Sequence, residues 1–581
     1  MAYCSEHDAN LIAASEREDA RRSIKHHRRV FEDLLALADD ALQKRQFRGA
    51  VVYAQVGALY AWLNHPGIFA SHKLEQLVGT AALKGVPGSA RSGGPRPDGG
   101  RPVRVLHVMS EALSIGGHTR LVWRWIRHDA GRSHSVVMTN QGKQPVPRPL
   151  AEAAHATGGN VHLLDELTAD ILWRARRLRD HARSADHVVL HIHPYDVLPI
   201  VAFAAREGLP PITFLNHADH VFWVGASISD VVAHTRHSGL RLSQRRRGIA
   251  EERCALIPLP LDNGERPFSR ARAKQLIGVA STAPVLLSIG SSYKYAPVRG
   301  LSFAEILSSV IEESHEAILL VIGPGSEGQW AEAARRTRGR MRTLGVQDEL
   351  STFYQAADIF VDSFPLCSET ALLEAATYGA VPVRYCPYSH GAEVLCTDAP
   401  SIEPHLFRAK TLDEYRAFLS HLIEDSAFRS SLGERIKQAV LEVHCGDTWR
   451  RFPEEAYLRA ARAASANELA GWPGSLDDPS FHELDILVDR LHARSGFSRY
   501  FDQSVQAHLR FLPLQLRICL WGRMFKSVGR GRLIREWLGR PRPTPHRDGL
   551  RFEEIFHAMA SEKRRSRDTH LPGRSAEDSD V

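Results

Sequence analysis

The chain lacks the features that would place it across a membrane or send it out of the cell. No window of its 581 residues holds the ~18 or more consecutive apolar residues that a membrane-spanning helix needs. The first ten residues, MAYCSEHDAN, lack the basic and then apolar layout of a secretory signal peptide. We therefore expect a cytoplasmic protein.

Cysteine is scarce and follows no pattern. The seven cysteines are scattered, odd in number and include no Cys-x-x-Cys pair. Such a set is typical of reduced thiols rather than of a disulfide framework or a zinc cage. The net charge of +7 permits an anionic partner without identifying it, and we expect no nucleic-acid partner.

Two stretches with little apolar content divide the chain. Residues 85–101, GVPGSARSGGPRPDGGR, are rich in glycine, proline and serine, which predicts a flexible boundary. Residues 561–581 are polar and charged almost throughout. Because they bury too little apolar surface to offset the entropy of ordering, they predict a disordered tail.

The first 87 residues predict helices. Apolar residues recur at helical spacing over 31–42 and 50–62, and the join at 44–50, KRQFRGA, resembles the turn of a tetratricopeptide-like helical hairpin. Only one such unit is evident, which favours a helical cap on the next domain over a partner-binding superhelix.

From Val103 onward, short apolar runs alternate with amphipathic segments of helix length. The runs that predict strands are 105–109, 135–138, 188–192, 212–215, 285–289, 317–322, 359–361 and 381–383. Continuous apolar runs between helices indicate parallel sheets covered on both faces. The proline-containing segment 257–284 interrupts the alternation and is typical of a hinge.

The predicted fold class is therefore α/β, with two doubly wound Rossmann-like domains and α-helical N- and C-terminal extensions. The predicted parts are a helical N-terminal domain, a linker, two Rossmann-like domains, a helical C-terminal region and a disordered tail, at residues 1–87, 88–102, 103–262, 263–452, 453–560 and 561–581.

Two loops that follow predicted strands suit an anionic ligand. Gly116 and Gly117 stand just before a helix, where backbone N–H groups can approach an anion closely. An ordinary tight turn fits the same residues. Lys294 follows the strand at 285–289 among small hydroxyl residues, a position that suits a phosphate as a point charge.

A third loop gives the strongest signal. Residues 358–383, DIFVDSFPLCSETALLEAATYGAVPV, predict a strand, a polar loop, a helix and a second strand. Ser368 or Thr370 can cap the helix, which leaves free amides for a diphosphate. Glu374 lies one turn further on, where a carboxylate can accept both hydroxyls of a ribose.

This third segment resembles the nucleotide-sugar motif of GT-B fold glycosyltransferases, family 4-like or related. The resemblance covers residues 103–452 in the order glycine loop, histidine loop, lysine loop, acidic helix. It implies transfer of a sugar from a nucleotide diphosphate donor that binds between the domains, with no cofactor and no obligatory metal.

The resemblance also implies roles for single residues. The donor diphosphate is expected to contact Gly116, Gly117, Lys294, Ser368 and Thr370, and the ribose is expected to contact Glu374. In one respect the chain departs from the pattern: the retaining branch has two glutamates with seven residues between them, and the upstream position here is Leu366. The stereochemical outcome is therefore open.

The stretch ITFLNHADHVFWVG, residues 212–225, delivers two imidazoles and a carboxylate at the exit of a predicted strand. His217 and His220 are three residues apart, but no further ligand set completes a metal site. A general base or a contact with the donor sugar fits better. His217 is the first candidate, Asp219 the second and His220 the third, and the alternative is a polar turn whose side chains bond locally.

The C-terminal region carries a basic amphipathic pattern over 512–540. Its apolar stripe is formed by Leu514, Ile518, Trp521, Phe525 and Val528, with arginines around it. This pattern is typical of a helix on an anionic membrane surface, and equally of a helix docked on the catalytic body. We expect a glycosyltransferase of polysaccharide biosynthesis that acts on a glycan, lipid-linked or protein acceptor. The alternative, suggested by Leu366, is a catalytically inactive scaffold that binds partners through its helical ends.

Overall fold

The structure is a computed structural model. It describes residues 14–86, 101–114, 116–166, 170–298, 300–396, 398–466 and 482–495, together with single residues and short stretches between 501 and 561. The helices are α1 (Ala14–Gln43), α2 (Phe47–Leu63), α3 (His72–Gly85), α4 (Gly117–His128), α5 (Arg148–Ala156), α6 (Ile171–Arg183), α7 (Leu198–Phe203), α8 (His237–Arg247), α9 (Arg270–Leu276), α10 (Phe303–Glu313), α11 (Gln329–Arg336), α12 (Ser351–Ala356), α13 (Glu369–Thr377), α14 (Leu412–Glu424), α15 (Ser426–His444), α16 (Gly446–Ala466) and α17 (Glu483–Ser495).

The strands form two parallel sheets. They are β1 (Arg104–Met109), β2 (Ser133–Met138), β3 (Val161–Leu163), β4 (His187–His191), β5 (Ile212–Asn216), β6 (Val231–His234), β7 (Cys254–Leu256), β8 (Val285–Ile289), β9 (Ile318–Ile322), β10 (Met341–Thr343), β11 (Ile359–Val361), β12 (Val381–Tyr385) and β13 (Phe407–Ala409).

Both sheets have a doubly wound topology. The first has the order β3-β2-β1-β4-β5-β6-β7 and the second the order β10-β9-β8-β11-β12-β13. In each sheet the strand that comes first in the chain, β1 or β8, lies inside the sheet, and the direction of winding reverses there. Ligands of such sheets bind beyond the carboxyl ends of the strands at this reversal. The predicted fold class, two Rossmann-like domains in the GT-B arrangement with helical extensions, is confirmed.

Helices α1 to α3 pack on the outer side of the first sheet. Their apolar residues belong to the same hydrophobic cluster as those of β1, β4 and β5. Phe31 of α1 meets Phe222 edge to face at 5.6 Å between ring centroids. Glu75 of α3 is buried and accepts hydrogen bonds from the backbone N–H groups of Gly225 and Ser227 at 2.9 and 2.8 Å. The carboxylate of Glu75 thus ties the helical extension to the segment that follows the histidine loop.

Helix α16 crosses from the second sheet back to the first. It packs against α4 and against strands β5 to β7. Trp125 Nε1 of α4 donates to Tyr457 Oη at 3.0 Å, and Trp449 Nε1 donates to the carbonyl of Pro258 at 2.6 Å. The helix runs without interruption through the predicted boundary at 452. The domain boundaries themselves remain predictions.

Among the residues that the structure describes, no helix has the length and apolar character needed to cross a membrane. Of the predicted membrane-facing stripe, Leu514 and Ile518 are 57% and 55% exposed. The rest of that stripe, most of the predicted linker and the predicted tail beyond residue 561 lie outside the described residues.

Candidate active site

A cavity of about 550 Å³ lies between the carboxyl ends of the two sheets. Loops from both domains line it, and they bring together most of the predicted site residues. These are Gly116, Gly117, His217, Asp219, Lys294, Ser368 and Thr370. Glu374 alone among the predicted residues does not line this cavity.

The glycine loop reaches the second domain. Gly116 has a φ of +129°, a value that favours glycine, and Gly117 begins α4. A Cβ atom on Gly117 would lie 2.8 Å from Thr370 Oγ1. A side chain at this position would therefore push apart the two loops that form the cleft.

The side chain of Lys294 reaches the N-terminus of α13. It stands on a 3₁₀ turn that is anchored by Tyr295, whose hydroxyl is 2.9 Å from Ser288 Oγ. Lys294 Nζ donates to the carbonyl of Cys367 at 2.8 Å and to Ser368 Oγ at 3.3 Å. A cation is thus held beside a helix start.

The N-terminus of α13 opens into the cavity. Ser368 is its N-cap residue but makes no side-chain cap bond, and the first backbone bond of the helix runs from Leu372 N to Ser368 O at 3.0 Å. The amides of residues 369–371 precede that bond, so they lack intrahelical acceptors. Together with the helix dipole and Lys294, these amides form an anion-binding arrangement.

Glu374 is occupied by side chains of both domains. Its carboxylate lies 3.1 Å from Arg120 Nη1 and 2.8 Å from Arg124 Nη1, both on α4, and accepts a hydrogen bond from Tyr354 Oη at 2.7 Å. The carboxylate is only 7% exposed. Ribose binding by Glu374 therefore requires that the ion pair with at least one arginine breaks. Arg120 is the more exposed of the two. The ribose role stays a prediction.

His217 forms a pair with His118, a residue that the sequence analysis missed. The two rings stack at 4.0 Å between centroids with an interplanar angle of 21°. His217 Nδ1 and His118 Nε2 are buried and have no hydrogen-bond partner in the described part of the chain. Burial lowers the pKa of His217 to about 4 and that of His118 well below its usual range. Both imidazoles are therefore neutral at pH 7 and can accept a proton.

Asp219 serves mainly as an anchor for Arg236. Asp219 Oδ2 accepts from Arg236 Nε at 2.7 Å, and Asp219 Oδ1 accepts from Asn216 Nδ2 at 2.9 Å. The same guanidinium donates to the carbonyls of Cys396 and Val394 in the second domain at 2.6 and 2.9 Å. Asp219 thus holds an arginine that joins the two domains. His220, the third candidate, lines the cavity, and burial lowers its pKa to about 4.

Next to the cleft, three buried histidines on neighbouring strands form a hydrogen-bonded row. His191 and His107 are joined at 2.9 Å, His107 and His134 at 2.9 Å, and His134 Nε2 reaches the carbonyl of Asp129 at 2.8 Å. Because a carbonyl oxygen only accepts, the chain of bonds places the proton of each ring on Nε2. Burial lowers the pKa of all three, so the row is neutral.

Glu369 is the second residue that the sequence analysis left without a role. It is the first residue of α13 and lines the cavity, and its Oε1 is buried without a partner among the described residues. Burial, together with nearby carboxylates, raises its pKa to about 7. The spacing of residues along the sequence gave no signal for Glu369, because the retaining pattern places its upstream glutamate at position 366 rather than 369.

The comparisons with known proteins give structural neighbours of low identity and no match by sequence. No family model matches the chain, and no curated protein matches it by sequence. Among solved structures, HepE from Anabaena in complex with UDP and glucose is 13% identical at a TM-score of 0.43, with 64% of this chain and 100% of that one covered. A glycosyltransferase from Rickettsia africae is 13% identical at a TM-score of 0.47, with 62% and 98% covered. The O-GlcNAc transferase from Thermobaculum terrenum is 15% identical at a TM-score of 0.46, with 74% and 83% covered.

These identities and TM-scores are too low to assign an activity. A function for the chain has to come from the geometry of its own cleft.

Proposed function

We propose that the protein is a glycosyltransferase that moves a sugar from a nucleotide diphosphate donor to a glycan, lipid-linked or protein acceptor. The observation that carries this proposal is the convergence of three elements in one cavity between two doubly wound domains. These elements are the glycine loop, Lys294 and the open N-terminus of α13.

The anion-binding arrangement suits the chemistry of the leaving group. When the bond between the anomeric carbon and the diphosphate breaks, negative charge develops on the diphosphate oxygens. Preorganised donors stabilise such charge strongly in a site that excludes water. Lys294 and the amides at the start of α13 supply these donors, and Ser368 and Thr370 place hydroxyls beside them. We propose that this charge replaces an obligatory metal.

His217 is the proposed general base. An acceptor hydroxyl gives its proton to the imidazole of His217, the hydroxyl oxygen forms a bond to the anomeric carbon, and the bond to the diphosphate breaks. The ring can accept a proton because burial keeps it neutral. His118, stacked against it, keeps the ring in place.

Thermal unfolding against a panel of nucleoside diphosphates and their sugars tests this function. A ligand at one hundred times its Kd stabilises the folded state by about 2.7 kcal/mol, which is a resolvable shift. Lys294→Ala is expected to weaken binding of the selected nucleotide about 10- to 100-fold, since a hydrogen bond to a charged group contributes ~1.5–3 kcal/mol. Lys84→Ala, which removes an exposed lysine from α3, is the control and should bind as the parent protein does.

Absence of any shift in a cooperatively unfolding protein would favour the alternative, an inactive scaffold that binds partners through its helical ends. Two observations support that alternative. Leu366 stands at the position of the upstream glutamate, and the carboxylate of Glu374 forms ion pairs with Arg120 and Arg124.

A peripheral membrane contact is a separate proposal that the exposure of Leu514 and Ile518 supports. The double variant Leu514→Glu, Ile518→Glu is expected to lose co-sedimentation with vesicles of anionic lipid, because buried apolar area contributes to such binding. Leu458→Glu, at a residue that is 55% exposed on α16, is the matched control. Equal pelleting of the parent, the double variant and the control would refute the contact.

A further inference from the structure

Glu369 occupies an unusual position in the cleft. It directly follows Ser368 at the start of α13, and its Oε2 lies 3.4 Å from Arg236 Nε. Its Oε1 has neither a donor among the described residues nor contact with solvent. A buried carboxylate oxygen without a partner costs free energy, which a proton on the carboxyl group or a ligand would recover.

Arg236 and Lys294, the cations beside Glu369, are bonded mainly to other groups. The charged and titratable groups that face it from the neighbouring elements are Asp219, Arg236, Lys294, Asp362, Cys367 and Asp398. Arg236 is already bound to Asp219 at 2.7 Å and to two backbone carbonyls. Lys294 bonds to Ser368 and to the carbonyl of Cys367 rather than to Glu369. Most contacts of these two cations therefore go to groups other than Glu369.

Burial and the neighbouring carboxyl groups favour the protonated form of Glu369. Burial is the largest cause of its raised pKa of about 7, the aspartates add to the effect, and Arg236 opposes it. A pKa near 7 means that about half of the molecules hold the proton at neutral pH. His217 and His220 across the cavity are held neutral by burial and add no positive charge there.

We propose that Glu369 binds the donor as a neutral carboxylic acid and donates its O–H to a phosphoryl oxygen of the diphosphate. The inference rests on the proposed function. Lys294 and the amides of α13 hold the diphosphate within reach of the residue that follows Ser368. An ionised Glu369 at that distance would repel the diphosphate, whereas the acid removes the repulsion and supplies a further donor.

Donor affinity then depends on pH through this one group. When only the protonated form binds, the apparent affinity follows the protonated fraction, so Kd is expected to rise about 25-fold between pH 6.5 and pH 8.5. Glu369→Gln carries a permanent amide donor in the same place. Its Kd is expected to lack this dependence and to lie below that of the parent protein at pH 8.5. Glu369→Ala removes the donor and is expected to bind less tightly than Glu369→Gln at every pH.

Isothermal titration with the nucleoside diphosphate selected by the unfolding panel, and with inorganic pyrophosphate as a base-free probe, tests the inference. Titrations in two buffers of different ionisation enthalpy measure proton uptake, which is expected to exceed that of Glu369→Gln by about half a proton at pH 7. Comparison with this variant removes the titration of the ligand itself. Glu393→Gln, at an acid that pairs with Arg241 outside the cavity, is the control and should retain the parent's pH dependence.

The outcomes separate the two proposals. Binding with the same pH dependence and proton uptake in the parent and in Glu369→Gln would overturn the role of Glu369 and leave the proposed function standing. No binding of either probe by any variant at any pH would overturn the proposed function itself.

Discussion

Replacing His217 with alanine is expected to lower turnover by about 10²- to 10⁴-fold, the loss that follows removal of a general base. The expected cause is the loss of an imidazole that burial keeps neutral and whose Nδ1 has no partner among the residues described. Affinity for the nucleoside diphosphate is expected to be largely kept, since Lys294 and the amides at the start of α13 lie on the other domain. Turnover and Kd are therefore to be measured on the same preparation.

The pH profile of the parent protein gives a second measure of the same role. Because burial lowers the pKa of His217 to about 4, the imidazole stays neutral and able to accept a proton down to mildly acidic pH. Protonation of His217 is expected to cause the fall in turnover on the acid side of the pH profile. His390→Ala, which removes a histidine whose side chain is 65% exposed, is the control. Turnover in His217→Ala within a factor of two of this control would exclude His217 as the base.

The folded state is expected to lose several kcal/mol of stability between pH 7 and pH 5. Burial lowers to about 3 or 4 the pKa values of His181, His187, His191, His193, His217, His220, His234 and His444. In the unfolded chain these groups titrate near 6.5. Below that pH the unfolded state binds more protons than the folded state, so stability present above pH 6.5 is lost as the pH falls toward 4.

The magnitude follows from the number of groups. Each fully buried histidine contributes on the order of 1–2 kcal/mol at pH 5. The buried carboxyl groups of Glu75, Asp196 and Asp398, whose pKa values burial raises, act in the opposite direction and offset part of the loss. Urea unfolding at pH 7, 6 and 5 measures the net effect, and its slope with pH counts the protons taken up on unfolding. Stability that is constant or rises toward pH 5 would show that these histidines are charged in the folded state.

The fold could be predicted from the sequence because its strands are buried on both faces. All eight predicted strands are present, from β1 to β12, since a strand covered by helices is a continuous apolar run that needs no alternation to be seen. The five strands that were missed have three or four residues each. At that length, a strand such as Val161–Leu163, which includes a histidine, carries no periodicity to read.

The sequence allowed a site residue to be predicted only where the proposed role of that residue depends on its own backbone position. Gly117, Lys294 and Ser368, which line the cavity, were predicted because each follows a strand or precedes a helix, and such positions can be read from the sequence. The roles of His118 and Glu369 depend on partners more than 90 residues away, His217 and Arg236. Spacing along the chain cannot show a stacking distance, nor the carboxyl groups that lie around one arginine. The ion pair of Arg120 with Glu374 was hidden for the same reason.

The two passages of the chain between the domains lie side by side. Leu261 N donates to the carbonyl of His444 at 2.8 Å, His444 Nδ1 donates to the carbonyl of Leu259 at 2.7 Å, and Trp449 Nε1 reaches the carbonyl of Pro258. Paired in this way, the two passages form one hydrogen-bonded connection between the domains. Any rotation that separates the domains has to break the contacts of Arg236 with Val394 and of Arg120 with Glu374.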